Sequence, residues 1–174
     1  MIRAATVADA TAVAAVYAPY VVDSVASFEQ EPPTADQMAS RIAGGHVWLV
    51  AELAGEVVGF AYGGPHRARP AYRWSVEVSV YLAAQATGRG LGRALYGELL
   101  PLLGRLGYVS AYAGITLPNA ASVGLHEAMG FVPVGTFRKV GFKHGAWHDV
   151  GWWQHALREP SLSPAEPSPW DGRL

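Results

Sequence analysis

The run from Gln85 to Leu95, Gln-Ala-Thr-Gly-Arg-Gly-Leu-Gly-Arg-Ala-Leu, sets three glycines at alternate positions just before leucines at helical spacing. Gly88, Gly90 and Gly92 let the backbone turn sharply and come close to a ligand. The first N–H groups of the helix that follows have no partner inside the helix, and they carry the positive end of its dipole. Such a turn suits an anion, a phosphate above all. Just upstream, Trp74–Leu82 alternates as a strand does, with Trp74, Val76, Val78, Val80 and Leu82 on one face and Ser75, Glu77, Ser79 and Tyr81 on the other. A carboxylate therefore lies mid-strand beside the anion site. There it can act as a general base for an amine, which is protonated at neutral pH and must lose a proton to become a nucleophile.

The loop lacks the Gly-Lys-Ser/Thr of a nucleoside triphosphate site, and Arg93 stands where a dinucleotide fingerprint starting at Gly88 needs its third glycine. Read as Gln85-x-x-Gly88-x-Gly90, it resembles the pyrophosphate-binding signature of the GNAT acetyltransferase superfamily, where it holds coenzyme A. Farther on, Asn119, Ser122 and His126 are spaced by three and four and share one helix face. Asn119 can cap that helix, or Asn119 and Ser122 can contact the cofactor arm with His126 near its sulfur end. The segments Asn119-Ala-Ala-Ser122 and Leu125-His-Glu-Ala-Met-Gly-Phe131 are similar to the superfamily pattern Asn-x-x-Ala/Ser…Leu-Tyr-Glu-x-x-Gly-Phe, in which the tyrosine often protonates the departing thiolate. His126 takes the place of that tyrosine, as a general acid, a substrate ligand or a packing group.

The elements that must position these residues are legible in outline. After a short strand Ile2–Ala4, Thr6 and Asp9 offer caps for an alanine-rich helix expected to stop before Pro19. Thr34-x-x-Gln37 has capping-box spacing, and Gly44-Gly45 closes the helix it opens. His46–Leu53 and Glu56–Gly63 form a hairpin around Ala54-Gly55. Leu91, Leu95, Leu99, Leu102 and Leu106 lay an apolar stripe along one helix, in which Pro101 predicts a kink. A strand Tyr108–Thr116, a helix Asn119–Met129 and the strands Phe131–Phe142 and Trp147–Leu157 complete a domain over residues 1–157. Residues 158–174, punctuated by Pro160, Pro164, Pro167 and Pro169, read as a mobile tail that Trp170 alone could pin.

Composition narrows the function. A chain of 174 residues with no cysteine is one domain without disulfides, thiol catalysis or a cysteine zinc site. A net charge of −1 with interspersed signs offers no basic face for nucleic acid, and no apolar run approaches the ~20 residues of a membrane span. A cytoplasmic protein with a small-molecule partner is the expectation. His144-x-x-x-His148-Asp149 falls on a turn entering a strand rather than on a helix face, so no metal is expected, and Trp147, Trp152 and Trp153 read as core or dimer interface.

Gly59–Tyr72 and Val140–Gln154 resemble the phosphinothricin N-acetyltransferase family, the run Phe-Lys-His-Gly-x-Trp-His-Asp-Val in the second being peculiar to this branch and its close relatives. The resemblance covers roughly Ile2 to Leu157. It implies an α/β GNAT fold, with a mixed, mostly antiparallel sheet splayed at its centre and flanked by helices. It implies acetyl-CoA as cosubstrate, an α-amine of phosphinothricin or of a methionine sulfoximine or sulfone as acceptor, and a homodimer. Carried onto matching positions, the cofactor groove draws on the strand backbone at Val80, Tyr81 and Leu82, on the amides of Gly88, Arg89, Gly90, Leu91, Gly92 and Arg93, and on Asn119. The substrate pocket draws on Phe28, Arg67, Arg69, Tyr72, Glu77, Ser79 and His126. Guanidinium forks at Arg67 and Arg69 suit the two acidic groups of such an amino acid. Three other readings remain open: acetylation of another amine or a peptide N-terminus, a non-catalytic coenzyme A-binding module, and an interaction protein using its tryptophan-rich end.

Overall fold

The computed structural model describes residues 1–174 and contains one seven-stranded sheet. Its strands are β1 (Ile2–Ala4), β2 (Val47–Leu53), β3 (Glu56–Pro65), β4 (Ser75–Leu82), β5 (Ser110–Leu117), β6 (Val132–Lys143) and β7 (Ala146–Ala156), in the spatial order β1-β2-β3-β4-β5-β7-β6. All neighbours are antiparallel except β4 and β5. The parallel pair is short: Ser75–Glu77 meets Ser110–Tyr112, after which β4 stays with β3 and β5 stays with β7. The sheet is thus mixed, mostly antiparallel and splayed between β4 and β5, as the sequence led us to expect.

Two apolar layers hold the sheet. Helix α3 (Leu91–Arg105) buries Leu95, Leu99, Leu102 and Leu103 against one face, which includes Val76 and Val78 of β4. Helices α1 (Ala10–Val22) and α2 (Ala35–Ala43) bury Val13, Tyr17, Val21, Met38 and Ile42 against Trp48, Val50 and Phe60 on the other. Tyr81 packs with this second layer, so the odd-numbered residues of β4, Glu77 among them, face the α1–α2 side. Helix α4 (Ala120–Ala128) follows β5, with Asn119 as its cap accepting from the Ser122 N–H at 3.1 Å. No helix is long and apolar enough to cross a membrane.

One local expectation needs correction. Helix α1 does not stop before Pro19 but continues to Val22. A proline costs the helix one hydrogen bond, and that loss is offset because Val21 is buried and the Tyr20 hydroxyl donates to the Leu82 carbonyl at 2.6 Å. Helix α3 extends past Pro101, which is flanked by the buried Leu99, Leu100, Leu102 and Leu103. The segment after Leu157 touches the domain at several points. The Trp74 indole donates to the Ala165 carbonyl at 2.8 Å, the Ser168 N–H donates to the Leu106 carbonyl at 2.7 Å, and Arg73 pairs with Glu166. Trp170 packs beside both apolar layers.

Candidate active site

Where β4 and β5 part, a groove of about 470 Å³ runs between them to the start of α3. Gly88 and Gly90 adopt left-handed backbone angles, with φ of +72° and +76°, and Gly90 is the residue that caps α3. A Cβ built at either position meets nothing within 4 Å, so the turn faces open space. Gly92 serves close packing: a Cβ there would stand 3.0 Å from the end of the Leu125 side chain, where α3 and α4 touch, and Leu125 would have to shift. The strand side of the groove adds one more donor, the Val80 N–H. The Leu82 N–H and carbonyl both reach the Tyr20 hydroxyl rather than β3, and by the two-residue period of a strand the Val80 N–H points into the same opening. These donors, an open anion-binding turn and a slot between strands, fit a long ligand carrying a diphosphate. Val80, Tyr81, Leu82, Gly88, Gly90, Leu91, Gly92, Arg93, Asn119 and Ser122 all line the groove. Arg89 does not; its side chain is exposed at the tip of the turn.

A second cleft, about 370 Å³, lies on the α1–α2 side and is lined by Phe28, Glu77, Ser79 and Trp152. Val78, Ser79, Gly114 and Thr116 line both spaces, so the cleft opens onto the groove where the strands part. The Glu77 side chain is 36% exposed there. Its Oε1 accepts from His66 Nδ1 at 2.9 Å and from the Arg67 guanidinium at 3.2 Å, while Oε2 has no partner in the protein. Arg67 also lies over the Trp152 ring, 5.6 Å from its centroid. Arg69 and Tyr72, also expected at the substrate pocket, lie farther out. Both are exposed, the Arg69 guanidinium makes no hydrogen bond, and Tyr72 meets only the edge of His66.

His126 is buried at the groove. Its Nδ1 is 2.7 Å from the Ser122 carbonyl, which can only accept, so Nδ1 carries the proton. Nε2 is then the acceptor for the Tyr96 hydroxyl at 3.0 Å. Burial holds the imidazole below its ordinary 6.5 and keeps it neutral. The sign for stability follows. Below 6.5 the unfolded chain takes up a proton that the folded chain resists, so this group's contribution is complete above 6.5 and erodes as pH falls. We expect the melting temperature to drop more between about pH 7.5 and about pH 5.5 in the wild type than in His126→Gln; equal drops would contradict the assignment.

Phe28 reaches the cleft from the loop after α1, and two contacts with the β6–β7 hairpin hold it there. Its ring lies on Gly141, where a Cβ would come within 2.2 Å of the ring. The buried Lys143 donates at 2.6 Å to the carbonyls of both Val21 and Ser27, tying the end of α1 and its loop to the hairpin. Gly141→Ala must therefore displace Phe28. We expect it to raise KM for the amine about tenfold while KM for the coenzyme stays unchanged, as steady-state kinetics would show; equal effects on both would mean a general loss of fold.

Other candidates have structural partners. Asp149 accepts from Arg138 at 2.7 Å and from the Lys139 N–H at 2.8 Å, fixing the bulge in β6, and the His148 Nε2 donates to the Lys143 carbonyl at 2.9 Å. The three tryptophans do not form one cluster: Trp153 is core, Trp152 walls the cleft and Trp147 is exposed. Sequence reasoning passed over His66 and Tyr96, and read Trp152 as core or dimer interface rather than as a wall of the cleft. The register that pairs Gly64 with Glu77 brings residue 66 beside the carboxylate, and no local spacing in the sequence announces it.

The family model described as an acetyltransferase (GNAT) domain matches residues 2–152. Phosphinothricin N-acetyltransferase of Streptomyces viridochromogenes is 45% identical over 163 residues, covering 92% of this chain and 89% of that protein. The L-methionine sulfoximine/L-methionine sulfone acetyltransferase of Salmonella typhimurium is 35% identical over 162 residues, covering 91% and 95%. The crystal structure of a GNAT superfamily phosphinothricin acetyltransferase from Sinorhizobium meliloti, in complex with AcCoA, superposes with a TM-score of 0.88 at 36% identity, covering 99% of this chain and 94% of that one. Similarity of this extent, in sequence and in fold, means that the chain belongs to the GNAT acetyltransferase family, in its phosphinothricin N-acetyltransferase-like branch.

Proposed function

We propose that this protein transfers acetyl from acetyl-CoA to the α-amine of phosphinothricin, or of a methionine sulfoximine- or sulfone-like amino acid, by direct attack. The observation that carries the reading is the free Oε2 of Glu77 in a cleft that opens onto the groove. Bound there, the thioester supplies the activated acetyl group, with its diphosphate against the amides of Gly88–Arg93. Glu77 Oε2 accepts the proton of the ammonium, directly or through one water, and the Val80 N–H donates to the thioester carbonyl oxygen. Holding amine and thioester in communicating clefts removes much of the encounter entropy. Proton donation by His126 is not part of this scheme: its one N–H is spent on Ser122 and its other nitrogen on Tyr96. The surplus proton on the attacking nitrogen balances the thiolate instead, and His126 with Tyr96 forms a rigid wall of the groove.

At the mouth, the half-exposed Arg67 guanidinium uses only Nη1, on Glu77 and the His66 carbonyl, which leaves Nη2 to meet an acidic group of the acceptor, with Arg69 following it on the same loop. A homodimer belongs to the same reading, supported by outer strand β6 and the start of β7, which leave Val132, Val134, Phe142 and Trp147 more than half exposed. So does a cytoplasmic location, where acetyl-CoA is available. Thiol release from acetyl-CoA, measured against phosphinothricin, methionine sulfoximine, methionine sulfone, simple amines and peptides with free N-termini, tests the proposal. Turnover confined to the first three supports it; turnover only with peptides, or with none of the panel, overturns it.

A further inference from the structure

His66 lies one residue beyond β3, in the loop that leads back to β4. Its Nδ1 stands 2.9 Å from Glu77 Oε1. An ionised carboxylate only accepts, so Nδ1 carries the proton and the imidazole is the donor. The ring is itself packed among three others. It stacks on Tyr112 with centroids 4.4 Å apart and planes within 17°, and it meets Tyr72 at 5.9 Å and Trp152 at 6.0 Å edge-on. The His66 side chain is 13% exposed, whereas that of Glu77 is 36% exposed. The carboxylate reaches into the cleft while its anchor stays enclosed.

From this geometry we infer that His66 is the positioning residue of the base, an assignment that rests on Glu77 acting as base. By donating to Oε1 from a packed ring, it holds the glutamate in the rotamer that turns Oε2 toward the amine. Arg67 touches the same oxygen at 3.2 Å but from a side chain 47% exposed. It is the adjustable partner, able to turn to an acidic group of the acceptor while the imidazole keeps the carboxylate in place. Without His66, Glu77 samples other staggered wells, and small misplacements of a reacting group are costly in rate.

Two substitutions separate positioning from packing. His66→Phe keeps a ring against Tyr112 and removes the donor; His66→Asn forfeits the ring but sets an N–H near the place of Nδ1. A positioning role predicts that His66→Phe lowers kcat about tenfold or more with KM for acetyl-CoA unchanged, and that His66→Asn recovers most of that loss. A packing role predicts the reverse ranking, Phe retained and Asn impaired, and that result overturns the inference. The same pair made in Glu77→Gln completes the cycle: with no base left to position, His66→Phe should cost nothing further. If Glu77→Gln alone leaves kcat intact, the base assignment fails with its dependent. If Glu77→Gln lowers kcat as expected while His66→Phe leaves kcat unchanged in the wild type, or costs as much in Glu77→Gln as in the wild type, only the role of His66 fails.

Discussion

Replacing Glu77 with glutamine lowers kcat by about 10²- to 10³-fold and leaves KM for acetyl-CoA nearly unchanged. The side chain keeps its size, and its amide oxygen can still accept from His66 and Arg67 as Oε1 does now. That pairing turns the NH₂ group toward the cleft, where a donor replaces the acceptor that the ammonium proton needs. The groove is untouched, because Glu77 lines the acceptor cleft and not the coenzyme path. The residual rate should climb with pH as the amine loses its proton to water unaided. Steady-state kinetics with both substrates varied would check this; an unchanged kcat removes Glu77 from the mechanism, and a rise in KM for both substrates would make its role structural.

The second large effect belongs to the glycine turn. Gly90→Val puts a β-branched side chain at φ +76°, a conformation that costs an ordinary residue roughly 1–2 kcal/mol and a β-branched one more. No protein atom lies within 4 Å of the new Cβ, so the cost arises from the backbone and from the ligand's space, not from the core. The turn relaxes to a negative φ, and the amides at the head of α3 no longer converge on one point. We expect the affinity for coenzyme A, by calorimetry, to fall about tenfold to 100-fold, while the melting temperature drops by only a few degrees. Gly97→Ala is the control: it lies inside α3, a Cβ there also meets nothing, and a helix-interior alanine should stabilise slightly and leave affinity unchanged. Undiminished affinity in Gly90→Val would mean that the diphosphate is held elsewhere.

Features set by local spacing could be read before any coordinates. The alternation in Trp74–Leu82 placed Glu77 opposite Val76 and Val78, and those valines lie in the α3 layer. The Thr34–Gln37 capping box forms as read, with reciprocal bonds of 3.2 Å and 2.8 Å. The leucine stripe faces the sheet because its period follows the helix. Features set by contacts distant in sequence were not legible. Pro19 is a local stop signal overruled by Tyr20 and Val21, whose partners are brought near only by the fold. The tail composition indicates a poor core, and says nothing of the indole of Trp74 waiting for a carbonyl from residue 165. His66 and Tyr96 acquire their roles from single hydrogen bonds to residues 11 and 30 positions away. Even His126, found through its place in a motif, could not be assigned a tautomer until the Ser122 carbonyl and the Tyr96 hydroxyl were seen on its two nitrogens.

The account as a whole holds that one glycine turn and one carboxylate, on either side of the parted strands, bring a thioester and an amine together. A crystal structure of the protein with coenzyme A and phosphinothricin bound tests this most directly. The diphosphate should accept from the amides between Gly88 and Arg93, and the amine nitrogen should stand about 2.6–3.2 Å from Glu77 Oε2 or one water away. A diphosphate bound away from that turn, or an amine facing away from Glu77 with its acidic groups in the cleft instead, would contradict it.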